Sequence, residues 1–374
     1  MAIEKTLINK ATYESKMDEL KAALDNYSNP EAVHLNDTQT ITGLKTFATL
    51  PQAGTDPSND ADFVPKKYID DLWATRKAQE EKCYQALKTV TKDFTRTDPV
   101  YVRIGDDGEP EIHYTFANET VAVSWFANMS LGDATIYVHN GGSLTSATSI
   151  IDGATLKGIV FDDLSQITLV NSNLSNANIK VWKCLGKVKN FQWSAFGGST
   201  NLETLYIGNT STITALAGAF YECKKLNPSS FSNWDTSNVT EFGRAFDNAS
   251  KILANLPLID TSKGEVFDGF LWDRSQNALK SVPAYNLSNG TNLDGLLGYS
   301  YQRAVKLEYF HAYGMKASLD LSFTAMKHDA ILEVFNNLGS GVAEGTTLTL
   351  GATKLALMSD DEKKIATDKG WTLA

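Results

Sequence analysis

The sequence predicts a multidomain α+β chain, with a helical N-terminal connector, an array of short-strand repeats and a C-terminal helical cap. Three observations predict it. From Tyr13 the large apolar residues run Tyr13, Met17, Leu20, Leu24 and Tyr27 in alternating steps of four and three, the seam of a short coiled coil. Phe196, Phe220, Phe246 and Phe270 recur at intervals of 24, 26 and 24 residues by subtraction, which is a repeat period. Ser359-Asp360-Asp361-Glu362 reads as a capping box with acids where the helix dipole favours them, and Lys363, Lys364, Lys369 and Gly370 complete a terminal helix.

The elements follow in order. Residues 1–30 hold the heptad helix, which Asn29-Pro30 stops. Residues 31–66 form a connector whose apolar Ile41, Leu44 and Phe47 are too few to bury a core alone, so the segment gains burial only where copies meet. Residues 67–98 read as a stalk helix through Tyr68, Leu72, Cys83, Ala86, Leu87 and Val90, polar on all faces from Arg76 to Lys82 and ended at Asp98-Pro99. In 99–117, Val100–Ile104 and Glu111–Phe116 flank Gly105-Asp106-Asp107-Gly108, a hairpin signal. From 118 to 374 the pattern is repetitive. Strands are expected at 134–138, 158–161 and 166–170, then at 204–207, 256–259, 282–285, 307–310, 319–322 and 347–350.

Bulk properties narrow the function. A length of 374 residues suits two or three domains. Lys+Arg 34 against Asp+Glu 44 leaves a net charge of -10, which argues against nucleic acid or an anionic membrane as the main partner. Met1–Leu7 lacks a secretory apolar core, and no apolar run approaches the roughly 18 residues of a membrane span, so a soluble product made in the cytoplasm, without membrane insertion, is expected. Cys83, Cys184 and Cys223 are far apart, which indicates neither a disulfide framework nor a zinc site.

Two segments resemble known families. Leu35-Asn36-Asp37-Thr38-Gln39-Thr40-Ile41-Thr42-Gly43-Leu44-Lys45-Thr46-Phe47, closing at Val64-Pro65-Lys66-Lys67-Tyr68-Ile69-Asp70, resembles the connector of bacteriophage tail-fibre and baseplate proteins, with Pro65 where that family usually has Asn. The resemblance implies a homotrimer held through Tyr13, Met17, Leu20, Leu24, Tyr27, Ile41, Leu44 and Phe47. Ala219-Phe220-Tyr221-Glu222-Cys223-Lys224-Lys225-Leu226, with Trp234-Asp235-Thr236-Ser237-Asn238-Val239-Thr240 and Ala245-Phe246-Asp247-Asn248-Ala249, resembles BspA-like leucine-rich repeats and implies a leucine-rich-repeat solenoid closed by the helical cap. Together they imply a virion tail-fibre adhesin that attaches the particle to a bacterial surface glycan or protein. The alternative they leave is a structural baseplate or fibre-adaptor protein whose repeats bind another virion protein.

The residues give no catalytic signature: G-x-S-x-G, the P-loop, H-E-x-x-H and the dinucleotide fingerprint are all absent, so no enzyme and no cofactor are expected. His34, His113, His139, His311 and His328 are scattered and read as surface or structural residues, and no metal is expected. A glycan-cleaving acid pair would have to come from Asp260, Glu265, Asp268 and Asp273, residue types that repeat turns also carry for solubility. Binding has better support. Trp272, Tyr285, Tyr299, Tyr309 and Tyr313 fall in consecutive units, where alternate residues project onto one surface and aromatic side chains anchor ligands.

Overall fold

The computed structural model describes residues 66–92, 100–115, 121–123, 125–148, 150–151, 153–170, 178–293, 295–299 and 303–374. The residues expected to trimerise, Tyr13, Met17, Leu20, Leu24, Tyr27, Ile41, Leu44 and Phe47, lie outside them. The described residues divide into two compact units, one running through Lys88 with Tyr101–Pro110, the other comprising Glu111–Ala374 with the 89–100 passage.

The smaller unit is built on α1 (Lys66–Lys92) and takes in Tyr101–Ile104 of β1 (Val100–Ile104). Its polar middle is held by one-turn pairs, Arg76 to Glu80 at 3.1 Å and Gln85 to Glu81 at 2.6 Å. Lys82 Nζ donates to Glu109 Oε1 at 2.6 Å. Glu109 closes the turn in which the Gly105 N–H donates to its carbonyl at 2.9 Å.

The larger unit begins as a parallel sheet. Strands β2 (Pro110–Thr115), β4 (Thr135–His139), β6 (Gly158–Phe161), β8 (Val181–Phe191) and β9 (Thr204–Asn209) align Glu111, Thr135, Gly158, Val181 and Thr204 in one register row. Isoleucine, valine and aromatic residues alternate inward, with Ile112, Tyr114, Ile136, Val138, Ile159, Trp182 and Cys184 buried, as a pleated sheet covered on one face requires. The last part of β8 turns to pair with β7 (Leu164–Leu169), aligning Phe191 with Leu169. Two further strands, β3 (Val121–Val123) and β5 (Ser146–Thr148), pair separately.

Beyond β9 the chain keeps the parallel stacking but largely abandons strands. Single bridges link Ala215, Glu241, Val266 and Asn292 in succession. Side chains do the rest. In Asn209-Thr210-Ser211, Asp235-Thr236-Ser237 and Asp260-Thr261-Ser262 the first residue's Oδ1 accepts the serine N–H at 3.0, 3.0 and 2.8 Å. Each threonine hydroxyl donates to a carbonyl in the next turn, at Asp235, Asp260 and Asn286 (3.1, 2.8 and 2.9 Å). These short polar side chains satisfy backbone groups that a continuous ladder would otherwise take. Inside, Phe196, Phe220, Phe246 and Phe270 form a buried column with successive ring centroids 5.9, 5.9 and 5.2 Å apart.

The expected architecture needs correction. In place of a coiled-coil connector and leucine-rich-repeat solenoid with a helical cap, the described residues form a mixed, sheet-rich fold with five α-helices. The strand expected at 256–259 does not form, because Pro257 offers no N–H and Leu258 points to solvent. Three other late strands shrink to two residues each: β10 (Ser281–Val282), β11 (Tyr309–Phe310) and β12 (Leu319–Asp320). The C-terminus is a small α/β layer. The parallel sheet β12-β13-β14, with β13 at Thr347–Thr349 and β14 at Thr372–Leu373, is interleaved with α3 (His328–Asn337), α4 (Ala352–Leu355) and α5 (Asp360–Thr367). The remaining helix, α2 (Ser250–Leu253), is one turn long. Lys369 Nζ donates to the carbonyls of Phe335, Asn336 and Leu338 at 2.8, 2.6 and 3.0 Å, closing the C-terminal end of α3.

Candidate functional site

Backbone hydrogen bonds fix the phase between turns. Phe196 donates to Ala219, Phe220 to Ala245 and Phe246 to Phe270, at 2.8, 3.0 and 3.1 Å. Residues at equal offsets from Phe196, Phe220 and Phe246 therefore stack, while the third bond shifts the Phe270 turn by one residue. Two positions before the four phenylalanines stand Ser194, Gly218, Arg244 and Asp268, and two after them stand Gly198, Glu222, Asn248 and Trp272. Ser194, Gly218 and Arg244 all adopt positive φ, at 61°, 61° and 55°. An arginine in that region is uncommon, and such a conformation persists only where surrounding contacts enforce it.

Those contacts centre on Asp247, whose side chain has no solvent exposure. Arg244 donates Nε and Nη2 to its Oδ2 at 2.9 and 2.7 Å, and Arg274 donates Nε to Oδ1 and Nη2 to Oδ2, both at 2.8 Å. A fully buried carboxylate is tolerated only when paired and hydrogen-bonded in this way. The hydrogen bonds to Asp247 in turn raise the pKa of Arg274 and hold it charged.

Aromatic rings wall the two guanidiniums. The Arg274 carbon lies 4.3 Å from the Trp272 ring centre and 5.2 Å from that of Tyr221, while Arg244 lies 5.4 Å from Tyr221, 5.6 Å from Trp272 and 5.8 Å from Trp193. The Tyr221 hydroxyl donates to Glu222 Oε1 at 2.9 Å; burial first, and then this bond, push its pKa up. Trp272 meets Tyr299 edge-on at 5.1 Å. Two glycines make the floor. A Cβ on Gly269 would sit 2.9 Å from Arg244 Cγ, and one on Gly295 would sit 2.3 Å from the Tyr299 ring.

A family profile matches residues 190–308. It is DUF285, described as Mycoplasma protein of unknown function. The matched stretch contains the whole face from Trp193 to Tyr299. No curated protein and no solved structure matches the chain. The expected identity as a phage tail-fibre or baseplate receptor-binding protein with a leucine-rich-repeat domain is therefore set aside: the matched family is neither, and no tail-fibre relative supports the connector motif.

The residues expected to bind separate into groups. Trp272 is half-buried within the arginine cluster, and Tyr299 borders it with 37% of its surface exposed. Tyr309 and Tyr313 are exposed further along, with Tyr309 stacked on His311 at 5.9 Å. Tyr285 is a correction: at 1% exposure it continues the core column, 5.8 Å from Phe270, and its hydroxyl donates to the Pro257 carbonyl at 2.6 Å. Trp193, Tyr221, Arg244, Asp247 and Arg274 went unread in the sequence. Aligning residues by offset from the repeat phenylalanines would have singled out Arg244, which replaces Ser194 and Gly218 of the earlier turns.

Other candidates resolve into structure. Asp273 is buried and accepts the Ser275, Ala278 and Leu279 N–H groups, at 3.1, 2.7 and 3.0 Å, so its carboxylate holds a loop. Burial pushes the Cys184 and Cys223 thiols up to about 12, far from nucleophilic. Parallel pairing of β2 with β4 brings His113 Nδ1 within 3.0 Å of His139 Nε2, which their spacing in sequence did not suggest. Among the described residues, no group of three or more His, Cys, Asp or Glu is placed to hold a metal, and no helix is long and apolar enough to cross a membrane.

Proposed function

We propose that this chain is a non-catalytic attachment protein whose face from Trp193 to Tyr299 recognises a ligand displayed on a cell surface. One observation supports the reading above the rest. Asp247, fully buried, fixes two partly exposed arginines between aromatic rings, and one of them, Arg244, stands where the two earlier turns carry Ser194 and Gly218. A ligand meeting this face would find donors and ring surfaces already held in place, which limits the side-chain ordering cost of binding. Trp193, 55% exposed, has the size and placement of an anchor residue.

The test uses the full chain. Fluorescently labelled protein is titrated onto a panel of bacterial cells beside Trp193→Ala, an exposed change that leaves the core alone. Saturable binding weakened about tenfold or more by the substitution is expected, the loss typical of a hot-spot aromatic. Equal binding by both forms would remove the face from the account.

A further inference from the structure

Resting on that reading, we infer that the ligand of the Trp193–Tyr299 face is a neutral oligosaccharide. The charges are already balanced. Arg244 and Arg274 are offset by Asp247 and Glu222, and Asp268, whose pKa burial raises against the pull of Arg244, adds no positive charge. An anionic ligand would meet no net attraction here, and the whole chain carries -10.

What the face offers is a set of donors and acceptors beside flat apolar surface. Each guanidinium has five N–H groups and uses two on Asp247, which leaves three on each. Glu222 engages the Tyr221 hydroxyl and Asn248 Nδ2 through Oε1 alone, at 2.9 and 3.4 Å, so among the described residues its Oε2 has acceptor capacity to spare. Adjacent donors and acceptors of this kind match the hydroxyls of a sugar, each of which both accepts and donates. The apolar C–H faces of a pyranose pack on aromatic rings, and Trp193 and Tyr299 supply exposed rings at the two ends.

The span sets the length. Trp193 and Tyr299 stand on turns four steps apart, and the contacts that link them, Arg244 at 5.8 Å from Trp193 and 5.6 Å from Trp272, and Trp272 at 5.1 Å from Tyr299, keep the two rings within about 17 Å of each other. A single sugar touches one end only. A short chain of sugars lying along the stacking direction reaches both and crosses the arginines between them.

The experiment is titration calorimetry of the full chain with cello-, malto- and manno-oligosaccharides of two to six units, and with oligogalacturonides as the anionic counterpart, at low and high sodium chloride. Affinity for one neutral series should rise with length and then level, change less than twofold with salt, and fall about tenfold in Trp193→Ala and in Tyr299→Ala. Binding of oligogalacturonides that collapses with salt would overturn the inference in favour of an anionic ligand. So would failure of every neutral series while the chain still attaches to cells, an outcome that leaves the attachment role standing. Absence of cell attachment would remove both.

Discussion

Asp247 is a single side chain on which two turns depend. Its carboxylate is fully buried and ties two guanidiniums from successive turns, so Asp247→Ala leaves both facing an unfilled, partly desolvated space. The arginines retain some contact with water, which places the expected loss near the lower end for broken buried pairs, about 3 kcal/mol in urea unfolding. Gly295→Ala acts differently. With φ at +74° and a Cβ that would strike the Tyr299 ring, it should displace that ring and weaken ligand binding several-fold, with a smaller loss of stability, as parallel calorimetry and urea titrations would show. At this scale the sequence was only partly readable. The phenylalanine period marked Phe196, Phe220, Phe246 and Phe270 as core, and all four are buried. It did not separate Tyr285, which fills the core, from Tyr299, which does not, because an aromatic residue after a turn suits either side and only the backbone path decides.

The short helices near the C-terminus show what a local motif does and does not specify. Ser359 Oγ accepts the Glu362 N–H at 3.3 Å and the Ser359 N–H donates to Glu362 Oε2 at 2.8 Å, the reciprocal pair that S-x-x-E encodes. Ser359→Ala should lower stability by about 1 kcal/mol in thermal or urea melts. The motif starts a helix but says nothing about where that helix packs, and α5 lies between strands β13 and β14 instead of closing an array. Similarly, Pro257 could have been read as a strand breaker from its position alone. The N-terminal contacts of α3 and α5 also carry a pH dependence. His328 donates Nδ1–H to Asp329 Oδ1 at 2.8 Å and Nε2–H to Glu362 Oε1 at 2.9 Å, and the first of these bonds is the main cause that raises its pKa above 6.5. Its contribution is complete below the unfolded value and is lost as pH rises through the raised one. Glu362, lowered from 4.5 chiefly by the Ser359 backbone hydrogen bond, contributes above that value and loses its contribution as pH falls through the lowered one. Both act together between about 4.5 and 6.5. His328→Ala should therefore cost more stability at about pH 5.5 than at about pH 8.5 in matched urea titrations.

For the molecule as a whole, the repeat period announced stacked turns, while the way those turns are joined was hidden. Ladder strands serve as far as β9; thereafter Asx turns and threonine hydroxyls carry the stacking, and these need no strand-like sequence. That economy of strands leaves loop backbone free to adopt positive φ at Arg244, Glu222 and Asn248, three of the positions from which polar side chains of the face arise. The stretch that matches DUF285, residues 190–308, contains the whole face. The measurement that tests the central claim most directly is equilibrium attachment of the labelled full chain to bacterial cells, wild type against Trp193→Ala/Tyr299→Ala. The account predicts saturable attachment by the wild type and at least a tenfold loss in the double variant with its unfolding curve unchanged. Undiminished attachment by that variant would contradict it.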